Sequence, residues 1–163
     1  MNYNRITNTT GTSTTRYGIN IQSSTYNNVT NSSGISSTFP AMNIESASYN
    51  NVTNSTLTST SNVGIYLYSS SNNRITNSIL NGNSTTYGAL VLSSSSQNNI
   101  LANNTINGKA GAYLITTESG ANTGNQFINN TFSNATNLVT LDSGAGNNTF
   151  YWNNFTSTTG YYV

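Results

Sequence analysis

A short unit returns along this chain at a nearly fixed interval. Tyr3-Asn-Arg-Ile-Thr-Asn8, Tyr26-Asn-Asn-Val-Thr-Asn31 and Tyr49-Asn-Asn-Val-Thr-Asn54 are almost the same, and the step from the first to the second equals that from the second to the third. Asn72-Asn-Arg-Ile-Thr-Asn77 continues the series without its Tyr. Looser copies follow at Asn98–Asn104, Gln126–Asn130 and Asn148–Asn154. Aligned on Asn8, Asn31, Asn54, Asn77, Asn104, Asn130 and Asn154, the seven copies keep one step through Asn77 and a slightly longer one after it. Fixed self-similarity at this scale is the signature of a stacked repeat, in which each unit buries its apolar face only against its neighbours.

A second element runs in phase with the first: Gly18–Ile21, Met42–Ile44, Gly64–Leu67, Gly88–Leu92, Gly111–Ile115, Leu138–Leu141 and Gly160–Val163. In most copies apolar residues alternate with others, the period-2 pattern of a strand with one buried face. Ile21 to Val29, Ile44 to Val52, Leu67 to Ile75 and Leu92 to Ile100 are each eight residues apart. A third apolar position follows the Asn in every copy after the first, at Ile35, Leu57, Ile79, Ile106, Phe132 and Phe155. Long 3.6-residue apolar stripes are missing, so helical repeats are excluded. The pattern predicts an all-β, right-handed parallel β-helix, a single solenoid over 1–163 with about seven coils of roughly 23–27 residues. At one strand spacing per coil such a rod is about 34 Å long. Ile19, Ile21, Ile44, Ile65, Leu67, Leu90, Leu92, Val139 and Leu141 are expected inside, and Thr7, Thr30, Thr53 and Thr76 outside. From Ile115 to Phe127 is twelve residues, so about four, around 118–124, are expected to bulge.

Composition decides whether so polar a chain can fold at all. Asn, Ser and Thr supply more than half of its 163 residues, which alone would suggest disorder. Disorder also calls for high net charge and few aromatics, whereas the net charge here is +1 and there are 11 Tyr, 5 Phe and 1 Trp. With four Lys and Arg there is no electrostatic footprint for nucleic acid or an anionic membrane. The absence of Cys excludes disulfides and thiolate chemistry, and no segment has the apolar length of a membrane-spanning helix.

The Asn-Asn-x-Ile/Val-x-Asn-(Ser/Thr) units resemble the parallel β-helix repeats of the pectin-lyase-like superfamily, in particular the NosD-type repeats of periplasmic and archaeal surface proteins. The resemblance covers essentially the whole chain. It implies the fold and leaves function open, because that superfamily holds both enzymes and inert spikes. None of its catalytic motifs has a counterpart here.

Glycan-cleaving chemistry needs paired carboxylates, calcium sites or a placed cation. Glu45 and Asp142 each follow the second strand directly and share a column four coils apart, about 19 Å. Glu118 and Asp142 sit on successive coils and are the one candidate dyad, read instead as solvated turn acids. With no His there is no ready general base near neutral pH, and a Ser nucleophile lacks an activating partner. No catalytic residue, metal ligand set or cofactor is expected.

Asn8, Asn31, Asn54 and Asn77 read as an asparagine ladder, in which identical side chains hydrogen-bond up the stack. Eleven Asn-x-Ser/Thr sequons also permit N-glycosylation, though about ten would arise by chance at this composition. Asn83, in a loop two residues longer than its counterparts, is the leading acceptor, followed by Asn134, Asn28, Asn51, Asn103, Asn129 and Asn147. Tyr3, Tyr26 and Tyr49 form a column able to stack along the rod or to bind sugar rings. Thr7, Thr30, Thr53 and Thr76 form a single outward column, where an ice-binding face would want two.

Neither end of the chain carries a helical or charged cap. The expectation is therefore a structural subunit of an extracellular filament or surface layer. It would stack head to tail through Tyr3, Ile6, Ile19 and Ile21 at one end and Phe150, Trp152, Tyr161 and Val163 at the other. Its partners would then be copies of itself and covalent N-glycans. An adhesin or carbohydrate-binding β-helix module taken from a larger surface protein is the alternative, and a polysaccharide-acting enzyme a distant third.

Overall fold

A computed structural model describes residues 3–109 and 113–156. These wind into a β-solenoid with three parallel sheets. The first sheet stacks Arg5–Thr7, Asn28–Thr30, Asn51–Thr53, Arg74–Thr76, Ile100–Ala102, Gln126–Ile128 and Thr149–Tyr151. The second stacks Thr10–Ser13, Ser33–Ser36, Thr56–Ser59, Ile79–Asn81, Thr105–Asn107, Thr131–Ser133 and Asn154–Thr156. The third holds six strands, Ile19–Gln22, Met42–Glu45, Ile65–Tyr68, Leu90–Ser93, Tyr113–Glu118 and Asn137–Thr140. Each sequence repeat thus makes one coil of three short strands. Because the strands are three to six residues long, the sheets hold together by register, not by strand length.

Register places like on like. Ile6, Val29, Val52, Ile75, Leu101, Phe127 and Phe150 form one inward column. Gly11, Gly34, Leu57, Leu80, Ile106, Phe132 and Phe155 form another. Ile35 and Ile79, expected in that column, lie one residue off it, and Ile79 is exposed. A one-residue offset reverses the face of a strand, and the short Gly34 holds the inward place instead. A Cβ on Gly34 would come within 2.9 Å of the Ala41 carbonyl oxygen, so the first coils close tightly around these glycines. Toward the last coils the same column widens to phenylalanine: Phe127 stacks on Phe150 at 4.4 Å and Phe132 on Phe155 at 5.0 Å.

Ile19, Ile21, Ile44, Ile65, Leu67, Leu90 and Leu92 are buried as the alternation requires, and Val139 packs against them half-buried. Leu141 is 40 % exposed, since pairing in the edge strand of the third sheet stops at Thr140. The threonine column does lie on the outer side of the first sheet. Its members are half-covered by one another, Thr76 fully, with Thr53 and Thr76 hydroxyls 3.2 Å apart.

The asparagine ladder exists, but in a different column from the one expected. Asn8, Asn31, Asn54 and Asn77 are exposed corner residues with φ of 50–51°. They stand in the left-handed region that Asn tolerates better than other side chains, which turns their side chains outward. Asn103 and Asn129 occupy the same corner in later coils, and Asn104 and Asn130 belong to the inner column. The ladder runs through Asn4, Asn27, Asn50, Asn73, Asn99, Asn125 and Asn148, with Nδ2-to-Oδ1 distances of 2.8–3.1 Å. Each Oδ1 also accepts the backbone N–H of the ladder residue in the coil before, as from Asn50 to Asn73 at 2.9 Å. A second ladder passes from Ser32, Ser55 and Ser78 to Asn104, Asn130 and Asn153. A third, shorter one joins Ala47 to Ser70, Ser96 and Asn122. Along these three ladders a side chain from the next coil replaces the backbone acceptor that the turn has lost, whereas after the second sheet a serine of the same coil does so, as Ser36 for the Phe39 N–H.

The 118–124 bulge is smaller than expected. Thr117, not Ile115, pairs with Leu92, so Thr117 to Phe127 is ten residues against eight from Ile21 to Val29. The excess is two residues, held in by Asn122, whose Nδ2 donates to the Glu118 carbonyl at 2.7 Å.

The two asparagine columns differ in what they support, and stability measurements separate them. Asn73→Ala strips the acceptor from two buried N–H donors and should cost about 3 kcal/mol. Asn77→Ala should cost about 1 kcal/mol, and Asn77→Gly almost nothing, because only the left-handed backbone is at stake there. Urea unfolding midpoints check the order. Equal losses for Asn73→Ala and Asn77→Ala would contradict the inner-ladder assignment.

Candidate functional site

Much of the outer surface is Ser, Thr and Asn, and a strip on the third sheet departs from that by joining aromatic rings to ionisable groups. On the third sheet, the positions between the buried residues are Asn20, Asn43, Tyr66 and Val91 in one column. Gln22, Glu45, Tyr68, Ser93 and Glu118 form the next. Beside them, the turns that enter this sheet bring Arg16, Tyr17, Phe39, Pro40 and Tyr87. A groove is lined by Tyr17, Phe39, Tyr66, Tyr87, Val91 and Glu118. A second, more polar hollow sharing Tyr17 is lined by Arg16, Asn20, Gln22 and Glu45. Outward-facing Val91 and Asn43 are buried, because the larger side chains of the strip cover them.

The contacts within the strip are specific. Tyr17 and Phe39 meet edge to face at 5.4 Å, and the Arg16 guanidinium lies 6.0 Å from the Phe39 ring centre. Tyr66 and Tyr68 stack with centroids 6.2 Å apart. Across two coils, the Tyr66 hydroxyl donates to Glu118 Oε2 at 3.2 Å. At the polar end, Asn43 Nδ2 donates both to Asn20 Oδ1 at 2.9 Å and to Glu45 Oε2 at 3.2 Å. Burial raises the Tyr66 phenol above its ordinary value, the Glu118 carboxylate adds to the rise through its charge and hydrogen bond, and a Ser93 hydrogen bond opposes it. Tyr66 is therefore a protonated donor at physiological pH, unsuited to act as a base.

The carboxylates have separate hydrogen-bond partners. Glu45 shares its column with Glu118, three coils or about 14 Å away, and the pairing of the edge strand ends at Thr140, before Asp142. Glu118 takes Tyr66 as its partner, while Asp142 accepts from the Thr117 hydroxyl at 3.2 Å. Among the described residues no three acidic or imidazole groups gather as a metal site.

The other expected positions are scattered. Of the glycosylation candidates, Asn83, Asn134, Asn103, Asn129 and Asn147 are exposed, whereas Asn28 and Asn51 are half-buried in first-sheet strands. The Asn83 amide donates to the Thr60 carbonyl at 2.6 Å. Tyr26 stacks on Tyr49 at 5.2 Å, along the rod as the repeat suggests. Tyr3, Ile6, Ile19 and Ile21 lie in the first coil, with Ile6 half-buried and Ile19 and Ile21 in the core. Phe150 packs inward in the last described coil, and Trp152 stands 80 % exposed at a corner. Tyr161 and Val163 lie outside the described residues.

The aromatic strip was missed in the sequence although a signal for it exists. Tyr66 and Tyr68 alternate with Ile65 and Leu67, and so stand on the outer parity of their strand. Arg16-Tyr17 and Phe39-Pro40 are one repeat apart and share one corner.

Comparison with known proteins agrees with this architecture. The family described as right handed beta helix region matches residues 1–155. The chain belongs to the right-handed β-helix family. Among solved structures, the A-module of a mannuronan C-5 epimerase from Azotobacter vinelandii is similar, with a TM-score of 0.74 at 14 % identity. The similarity takes in 86 % of this β-helix chain and 42 % of that module, so this chain spans less than half the module's length. At that identity the two share the fold. No curated protein matches this β-helix in sequence.

The environment of Tyr66 has a measurable signature. Its phenol should ionise later than the exposed tyrosines in an alkaline absorbance titration, and Tyr66→Phe should remove that late component. Because its folded value lies above the unfolded one, its contribution to stability is complete below about pH 10 and is lost as pH rises through the folded value. Stability of Tyr66→Phe should consequently fall less steeply than wild type above that pH.

Proposed function

We propose that this β-helix is an extracellular carbohydrate-binding module, with a glycan lying along the outer strip of its third sheet. The observation that carries the reading is the meeting of aromatic rings with carboxylate, guanidinium and amide side chains in one strip, a combination that the exposed tyrosines Tyr3, Tyr26 and Tyr49 on another corner lack. Sugar rings have apolar faces that pack on aromatic side chains and hydroxyl edges that pair with amides, carboxylates and guanidinium groups. Tyr17, Phe39, Tyr66 and Tyr87 supply the first, and Asn20, Gln22, Glu45 and Arg16 the second. The strip reaches from the first coil to the fifth, about 19 Å, which suits an extended chain better than a single sugar.

Binding, not turnover, is what this arrangement supports. Glu45 and Glu118 are too far apart for the carboxylate pairs of glycoside hydrolysis, which stand about 5–9.5 Å apart. Tyr66 is held protonated, and its carboxylate neighbour already accepts that proton's hydrogen bond. The shared fold of an epimerase named for mannuronan supports a polysaccharide, in the broad sense, as the partner of a β-helix face.

Tyr87→Ala and Tyr17→Ala should each weaken retention in glycan-containing native gels by about tenfold or more, the effect expected of a central aromatic contact. Tyr26→Ala, on a different corner of the rod, should leave it unchanged. Equal effects of all three, or none from the first two, would remove the strip as the binding face.

A further inference from the structure

We infer that the strip selects neutral glycans and rejects uronate polymers, an inference that rests on the carbohydrate-binding reading and adds the substrate class. Its charges are Glu45, Glu118 and Arg16, two carboxylates to one guanidinium, although the chain as a whole carries +1. The guanidinium is partly engaged over the Phe39 ring. Arg5 and Arg74 stand on the first sheet, in register with Asn28 and Asn51, and Lys109 follows the second-sheet strand Thr105–Asn107. None of these three lines either hollow of the strip. A polyanion laid along the strip would therefore meet a net negative surface.

Hydrogen-bond chemistry points the same way. An ionised carboxylate only accepts, so Glu118 needs donors. Tyr66 provides one to Oε2, and its raised phenol keeps that donor in place. A neutral sugar can bring more through its hydroxyls, including the primary alcohol at C6. In a uronate the C6 group is itself an ionised acceptor. Against Glu118 or Glu45 it makes no hydrogen bond, repels, and brings no donor to offset the carboxylate's lost hydration. Asn43 fixes Glu45 at the polar end in the same acceptor role. Specificity here comes as much from what the acids refuse as from what the rings attract.

The test uses the full chain and a matched pair of probes: β-1,4-linked mannohexaose and hexameric β-1,4-mannuronate, which differ only at C6. Neutral hexaoses of glucose, galactose and xylose complete the panel. Calorimetry at low salt should show at least one neutral hexaose bound and mannuronate at least tenfold weaker. Glu118→Gln keeps the shape of the side chain and an oxygen for Tyr66, and should raise mannuronate affinity about three- to tenfold at low salt, with the gain fading as salt screens the charge. Mannuronate bound as tightly as the best neutral hexaose by the wild type would overturn the selectivity while leaving the glycan site standing. No affinity for any member of the panel would overturn the carbohydrate-binding reading and this inference with it. A near-unchanged far-ultraviolet spectrum for Glu118→Gln confirms that a change in binding is not a change in fold.

Discussion

The structure depends on one contact repeated from coil to coil: an asparagine amide that hands a hydrogen bond to the same residue one turn further along. Asn27, Asn50, Asn73, Asn99 and Asn125 each accept at Oδ1 from both the side chain and the backbone of the coil before. From Asn50 onward the second amide hydrogen reaches a carbonyl at a neighbouring corner, as from Asn99 to Ser70. These groups are buried where a solenoid has its weakest point, the turn at which sheet pairing stops. Left unpaired, each buried donor or acceptor would cost about 1–3 kcal/mol. The ladder therefore sets the spacing of the coils and, through it, the register in which every apolar column stacks.

That constraint explains why a chain more than half Asn, Ser and Thr has a core. The apolar residues are few, but most of the large buried ones stand in inward columns where each is covered by its neighbours along the stack. The small residues Gly11 and Gly34 let the early coils close, and phenylalanines fill the later ones. The same scaffold frees the outer positions from packing duty. Many of them carry Ser, Thr or Asn, and beside the third sheet they carry a band of tyrosine, phenylalanine and ionisable groups across several coils. A rigid stack fixes the distances between those side chains at multiples of the coil spacing, so an extended ligand could be read by a surface that need not move.

The constant period of the first three copies, and the alternation in Gly18-Ile-Asn-Ile21 or Ile65-Tyr-Leu-Tyr68, were enough to determine a parallel β-solenoid and most of its inner columns. Period-2 alternation depends only on the pleat of a strand, and a strict repeat depends only on coils stacking in register, so both are written locally. What tertiary structure decided was which residue at each corner turns in and which turns out. Asn8 and Asn4 are the same amino acid in the same repeat unit, yet a left-handed φ sends the first into solvent while the second enters the ladder. Offsets of one or two residues in longer coils moved Leu101 and Thr117 to other columns than equal spacing implies. The functional strip was legible least of all. Tyr66 and Glu118 are far apart in sequence and share a hydrogen bond only because two turns of the solenoid carry them to one face. Such a meeting depends on the accumulated length of every coil between them, which no local pattern encodes.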